Sequence, residues 1–187
     1  MHDQRPVYTG VGSRKTPEPI LALMQTLAQT LARRGFTLRS GAAEGADSAF
    51  EVGSGEAKEI YLPWRGFNGS SSQFYVITDE ALEMAARAHP AWNRLSPAAR
   101  KLHARNCYQV LGLKLDVPSR FLVCWTPGGA THPRECTRET GGTGTAIRLA
   151  ALHGVPVFNL AHPEHRERVE EYVAAAPGTI RRGDGLI

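Results

Sequence analysis

Residues 141–145 read Gly-Gly-Thr-Gly-Thr and run straight into Ala-Ile-Arg-Leu-Ala-Ala-Leu. A glycine-rich turn that opens an apolar helix leaves unpaired backbone N–H groups at the positive end of a helix dipole. That arrangement attracts an anion, most often a phosphate. Gly141, Gly142 and Gly144 let the backbone approach such a ligand closely, and the Thr143 and Thr145 hydroxyls can add donors. An isolated glycine cluster would be read as an ordinary tight turn. Two further strand–glycine–helix junctions accompany this one.

At the first of these, Gly12-Ser13-Arg14 follows a short apolar run. Ser13 and Arg14 would stand at a strand end, where both could grip phosphate or a carboxylate, or Arg14 could simply face solvent. The third glycine of a dinucleotide fingerprint would fall at Lys15, which argues against a dehydrogenase. At the second, residues 40–47 read Ser-Gly-Ala-Ala-Glu-Gly-Ala-Asp. Gly41 permits close passage of the backbone. Asp47 could cap a helix, worth ~1 kcal/mol, or accept hydrogen bonds from a sugar hydroxyl. Glu44 has less structural reason to be there and could contact ligand.

The elements that must carry these junctions follow from periodicity. Short apolar runs predict strands near residues 6–10, 36–40, 59–62, 120–125 and 156–160. Helical spacing predicts helices over 17–34, 79–88, 97 to about 113, 145–153 and 163 to about 175, and the segment following Asp47 to about 52 reads as a short helix packed through small residues. Thr16 and Ser96 are expected N-caps, with Pro97 favoured in a first turn and Gly35 a stop. Alternating strands and helices predict an α/β fold, a Rossmann-like three-layer α/β/α arrangement with a mostly parallel sheet. Ligands in such sheets bind outside the carboxyl ends of the strands, where the three glycine-rich junctions should converge.

Residues 64–78 form a long loop rich in Gly, Ser, Asn and aromatics. Trp64, Phe67, Phe74 and Tyr75 could stack a base or cap the core beneath the loop. Trp125, at the end of a strand, stands at the ligand-binding edge. Arg100, Lys101 and Arg105 fall at helical spacing for one face, which could also be a solvated stripe. Arg148, one turn into its helix, could lean toward the anion site or lie on a solvated face.

The 187 residues are expected to form one domain spanning 1–187, with 42% hydrophobic and 21% charged residues and a formal net charge of +4. That charge permits phosphate-bearing partners without demanding nucleic acid. No stretch approaches the ~20 apolar residues of a membrane span. The opening Met-His-Asp-Gln-Arg-Pro lacks the apolar core of a signal peptide, so a cytoplasmic location is expected. Cys107, Cys124 and Cys136 are expected as reduced thiols. His132 and Cys136 have no second pair beside them, so neither a metal site nor a cofactor is expected.

Gly12-Ser13-Arg14, Ser40-Gly41-x-Ala43-x-Gly45-x-Asp47 and Gly144-Thr145-Ala146 resemble the Rossmann-like domain of DNA-processing protein A (DprA, or Smf) and the wider SLOG superfamily. The run 61–69, Tyr-Leu-Pro-Trp-Arg-Gly-Phe-Asn-Gly, is similar to small phage-encoded DprA-like members. The resemblance implies a SLOG-type fold and a nucleotide-derived ligand. It also implies single-stranded DNA as an alternative partner, and a homo-oligomer.

A partial likeness to the cytokinin-activating phosphoribohydrolases (lysine-decarboxylase-like proteins) adds an enzymatic alternative, N-glycosidic hydrolysis of nucleotides. Leu102-His103-Ala-Arg105-Asn106 resembles their Met-His-x-Arg-Lys segment, which would make Arg105 the catalytic arginine. Residues 141–145 resemble their Pro-Gly-Gly-x-Gly-Thr-x-x-Glu segment, but Arg148 stands at the position of the glutamate. A carboxylate is what stabilises positive charge developing on a sugar, and arginine has the wrong sign. Glu139 is the best-placed substitute, ahead of Glu44, Asp47 and Glu135. The leading expectation is therefore binding of a phosphorylated nucleoside: phosphate on 142–145 with Ser13 and Arg14 opposite, ribose at Asp47 or Glu44, and base against an aromatic.

Overall fold

Strand β1 (Val7–Gly10) lies at the centre of a five-stranded sheet in a computed structural model that describes residues 5–176. Met1 to Gln4, part of the stretch read for a missing signal peptide, lie outside the described residues. Around β1 the chain lays down α1 (Glu18–Arg33), β2 (Thr37–Ser40), α2 (Ala46–Ser54) and β3 (Lys58–Ile60) on one side. It then crosses through α3 (Asp79–Ala88) and α4 (Pro97–Leu111) to β4 (Leu122–Cys124), α5 (Thr143–Leu152), β5 (Val157–Asn159) and α6 (Pro163–Ala174). The strand order is β3-β2-β1-β4-β5 and every pairing is parallel. The order reverses between β1 and β4, the crevice where sheets of this kind receive ligands.

Alternation along the strands divides the core into two layers. In β4, Val123 faces a cluster with Tyr8, Leu27, Leu31, Phe50 and Phe121, while Leu122 and Cys124 face one with Ala85, Ala104, Tyr108, Leu111 and Ile147. The first lies under α1, α2 and α6, the second under α3, α4 and α5, which gives the expected three layers. Burying side chains of this size is worth ~1.5–3 kcal/mol each. Thr9 fixes α4 to the sheet: its buried hydroxyl lies 2.6 Å from the Gln109 carbonyl and 2.8 Å from Ser119 Oγ.

Local signals set several boundaries. Ser96 caps α4 by accepting the Ala99 amide at 3.2 Å, and Thr78 caps α3 by accepting that of Ala81. Thr16 differs from its expected role. Pro17 holds the cap position of α1, and the Thr16 hydroxyl donates instead to the Ser13 carbonyl at 2.6 Å. Helix α5 begins at Thr143 rather than residue 145, so the second half of the glycine-rich segment is already helical. Its first half turns through Gly141, whose φ of +60° is costly for any residue with a Cβ. Arg100, Lys101 and Arg105 do not form one solvated stripe. Lys101 is exposed, Arg100 stacks over Trp92 at 5.6 Å and Arg105 is buried.

Candidate functional site

The loop after β1, the loop after β2, one face of α4 and the N-terminus of α5 enclose a cavity of about 360 Å³ at the carboxyl edge of the sheet. That size falls within the ~300–1,000 Å³ typical of small-molecule sites. Gly12, Ser13, Arg14, Asp47, Arg105, Glu139, Gly141, Gly142 and Thr143 all line it. The three glycine-rich turns therefore meet in space, although that of 141–142 follows the helical turn Arg138–Thr140 and not a strand directly.

At the α5 end, the amides of Gly144 and Thr145 bond the carbonyls of Gly141 and Gly142, each at 3.1 Å. The Gly142 and Thr143 amides make no hydrogen bond among the described residues. These two N–H groups are the open donors of the helix terminus. Asn106 holds the turn in place by donating from Nδ2 to the Gly142 carbonyl at 2.8 Å. Across the cavity, the Ser13 amide donates to the Trp125 carbonyl at 3.0 Å, and Ser13 Oγ accepts the Lys15 amide at 3.0 Å. Arg14 and Lys15 are exposed and free to reach a ligand.

Asp47 and Arg105 form the buried electrostatic centre. Asp47 is 2% exposed, and the backbone amides of Ala43, Gly41 and Gly12 favour its charged form. Burial nonetheless pushes its carboxyl up to about 6, against the opposing pull of Arg105 and those amides. Arg105, 7% exposed, donates to the Gly41 carbonyl and, at 3.3 Å, to Asn106 Oδ1. Its guanidinium lies 5.7 Å from the centre of the Phe67 ring. Burial lowers the Arg105 pKa and Asp47 opposes the shift. Among the described residues Arg105 Nε has no partner, nor do the two amide atoms of Gln109, another buried cavity-lining side chain. Unpaired buried polar atoms of this kind are costly.

Gly41 does not line the cavity. A Cβ there would strike Gln109 Nε2 and the Arg105 guanidinium, so its role is to let α4 approach β2. Gly144 and Thr145 lie inside the first turn of α5, where Thr145 is fully buried. Arg148 folds back over that turn, its Nη1 against Gly144, and sits near Cys136, His89 and His103 rather than on the cavity wall. Glu44 is exposed outside the cavity. Trp125 packs against the core and contributes its backbone carbonyl, while Phe67 supplies the cavity's aromatic surface.

Sequence reasoning missed Gln109 and gave Asn106 and His103 no separate roles. The signal was present: positions 102, 105, 106 and 109 share one helical face, and all four residues line the cavity.

No known protein-family profile matches the chain, and no curated protein matches it. Among solved structures, it is similar to DNA processing protein A from Helicobacter pylori, studied for its single-stranded DNA binding mode. The superposition has a TM-score of 0.57 at 17% identity. It covers 84% of this chain and 66% of the other, just under two thirds of that protein's length. The likeness supports a DprA-like, Rossmann-like fold. Among the described residues, no helix is long and apolar enough to cross a membrane.

Proposed function

We propose that the chain is one ligand-binding domain whose cavity takes a phosphorylated nucleoside. The observation that carries this reading is the pair of unbonded amides at Gly142 and Thr143, opening into a cavity shared with Ser13 and Arg14. Such amides at a helix N-terminus favour an anion. Phe67 offers a stacking surface for the base, and the buried Asp47 an acceptor for a sugar hydroxyl. Screening nucleotides and their parent nucleosides by thermal shift tests the reading. A nucleotide is expected to raise the Tm well above the shift given by its nucleoside. No stabilisation by any nucleotide would overturn it.

The fold likeness to a protein that binds single-stranded DNA supports a second reading, in which the same donors take a backbone phosphate. Binding of that kind falls steeply with salt, because each neutralised phosphate releases counterions. Tight, salt-sensitive oligonucleotide binding would favour it over the first reading. Self-association, which the family resemblance implies, is read out by light scattering in the same samples.

A further inference from the structure

The imidazole of His103 turns one nitrogen to the protein and lines the cavity with the rest of its ring. Nδ1 lies 2.8 Å from Thr145 Oγ1. Thr145 is fully buried, and its hydroxyl has no other hydrogen-bond partner among the described residues. In particular it does not turn back onto the carbonyl four residues earlier, as Thr26 does onto Ala22. A buried hydroxyl hydrogen without an acceptor is unfavourable, so the Thr145 O–H donates to Nδ1. A neutral imidazole that accepts at Nδ1 carries its hydrogen on Nε2. Nε2 has no protein partner among the described residues and is not sealed from solvent.

The ring stays neutral at ordinary pH. Burial, then the neighbouring His89, Arg105 and Arg148, pull its pKa down to about 4. His89 meets it edge-on with 4.3 Å between ring centres. Thr145 belongs to the helical turn that presents the Gly142 and Thr143 amides, so the bond to Thr145 holds the imidazole beside them.

We infer that His103 is a ligand-contacting residue whose uncharged Nε2–H donates to a phosphoryl oxygen, with Thr145 as the positioning residue that fixes its tautomer. This rests on the nucleotide reading above and narrows it. Three donors lining one cavity ask for a group that only accepts, which favours an ionised terminal phosphate monoester over a hydroxyl.

Nitrogen NMR of ¹⁵N-histidine-labelled full chain tests the inference, using inorganic phosphate and the nucleoside 5′-monophosphates as probes. The free protein is expected to show His103 as the Nε2–H tautomer, and either probe to shift that resonance. Thr145→Val should mix the tautomers. His103→Gln, which keeps a donor near Nε2, should bind within about threefold of wild type, and His103→Asn about tenfold more weakly. An Nδ1–H tautomer, or a resonance that no probe moves, overturns the inference. Nucleotide binding with His103 unmoved and both variants unaffected would sink it and leave the nucleotide reading standing. A response to phosphate with no tighter binding of any nucleotide would do the reverse.

Discussion

Asn106 Nδ2 donates to the Gly142 carbonyl at 2.8 Å, while Asn106 Oδ1 receives the Arg105 guanidinium at 3.3 Å. One side chain on α4 thus positions both the open amides of α5 and the buried cation. Asn106→Leu keeps the volume and removes both bonds. It should lower stability by about 1–2 kcal/mol and weaken nucleotide binding several-fold, measured by urea unfolding and calorimetric titration. Unchanged affinity would mean that the α5 turn holds its shape without α4.

The buried Asp47 carboxyl sets a pH dependence with a definite sign. Its folded pKa, pushed up to about 6, exceeds the usual carboxylate value. Between those two values the folded protein binds a proton that the unfolded chain does not. The penalty for Asp47 is therefore present at neutral pH and is relieved as pH falls through 6. Asp47→Asn imitates the protonated form, so its Tm relative to wild type should rise as pH goes from 5 to 8. A Tm difference that stays constant across that range would contradict the account.

Gly41 tests the close packing beneath the cavity. An added Cβ would drive into Gln109 and Arg105, both buried. Gly41→Ala should cost about 1–3 kcal/mol and displace the Arg105 guanidinium. Chemical denaturation measures the first effect and nucleotide titration the second.

How much of this could be read from the sequence depended on whether the cause was local. The α3 limits, the Ser96 cap and the glycine turns after β1 and β2 follow from neighbouring residues, and the structure keeps them, whereas the turn at 141–142 follows the helical turn Arg138–Thr140 and not a strand. Strand ends were overestimated. Phe36 and Leu160 are buried like strand residues, yet lie just outside β2 and β5; their apolar character, which the sequence shows, reports burial and not the limits of the ladder. Trp125 stands at the expected edge but turns its ring to the core, a choice that apolar neighbours make and spacing does not reveal. Gln109 gained its place only through the rotation of α4, which depends on the Thr9 and Asn106 contacts from other elements.

Hydrolysis is the sharpest enzymatic alternative. Glu139 lines the cavity, but Arg148 occupies the position where the resembling family carries its glutamate. Nucleoside monophosphates incubated with the protein should bind without releasing free base. Base release lost in both Glu139→Ala and Arg105→Ala would instead establish catalysis at this site.

On the proposed function the α5 terminus holds a phosphate through open amides, and Gly142 isolates that interaction. Its φ of −59° suits proline, and a Cβ there meets nothing closer than Asn106 Nδ2 at 3.9 Å. Gly142→Pro therefore deletes one donor N–H in a backbone shape that proline accepts, and Gly142→Ala is the control that keeps it. Calorimetric titration of the wild type and both variants with a nucleoside 5′-monophosphate and its parent nucleoside is the direct test. Wild type and Gly142→Ala are expected to bind the monophosphate alike and more tightly than the nucleoside. Gly142→Pro should be at least about tenfold weaker with little change in Tm. Equal affinity for nucleotide and nucleoside, or full binding by Gly142→Pro, would contradict it.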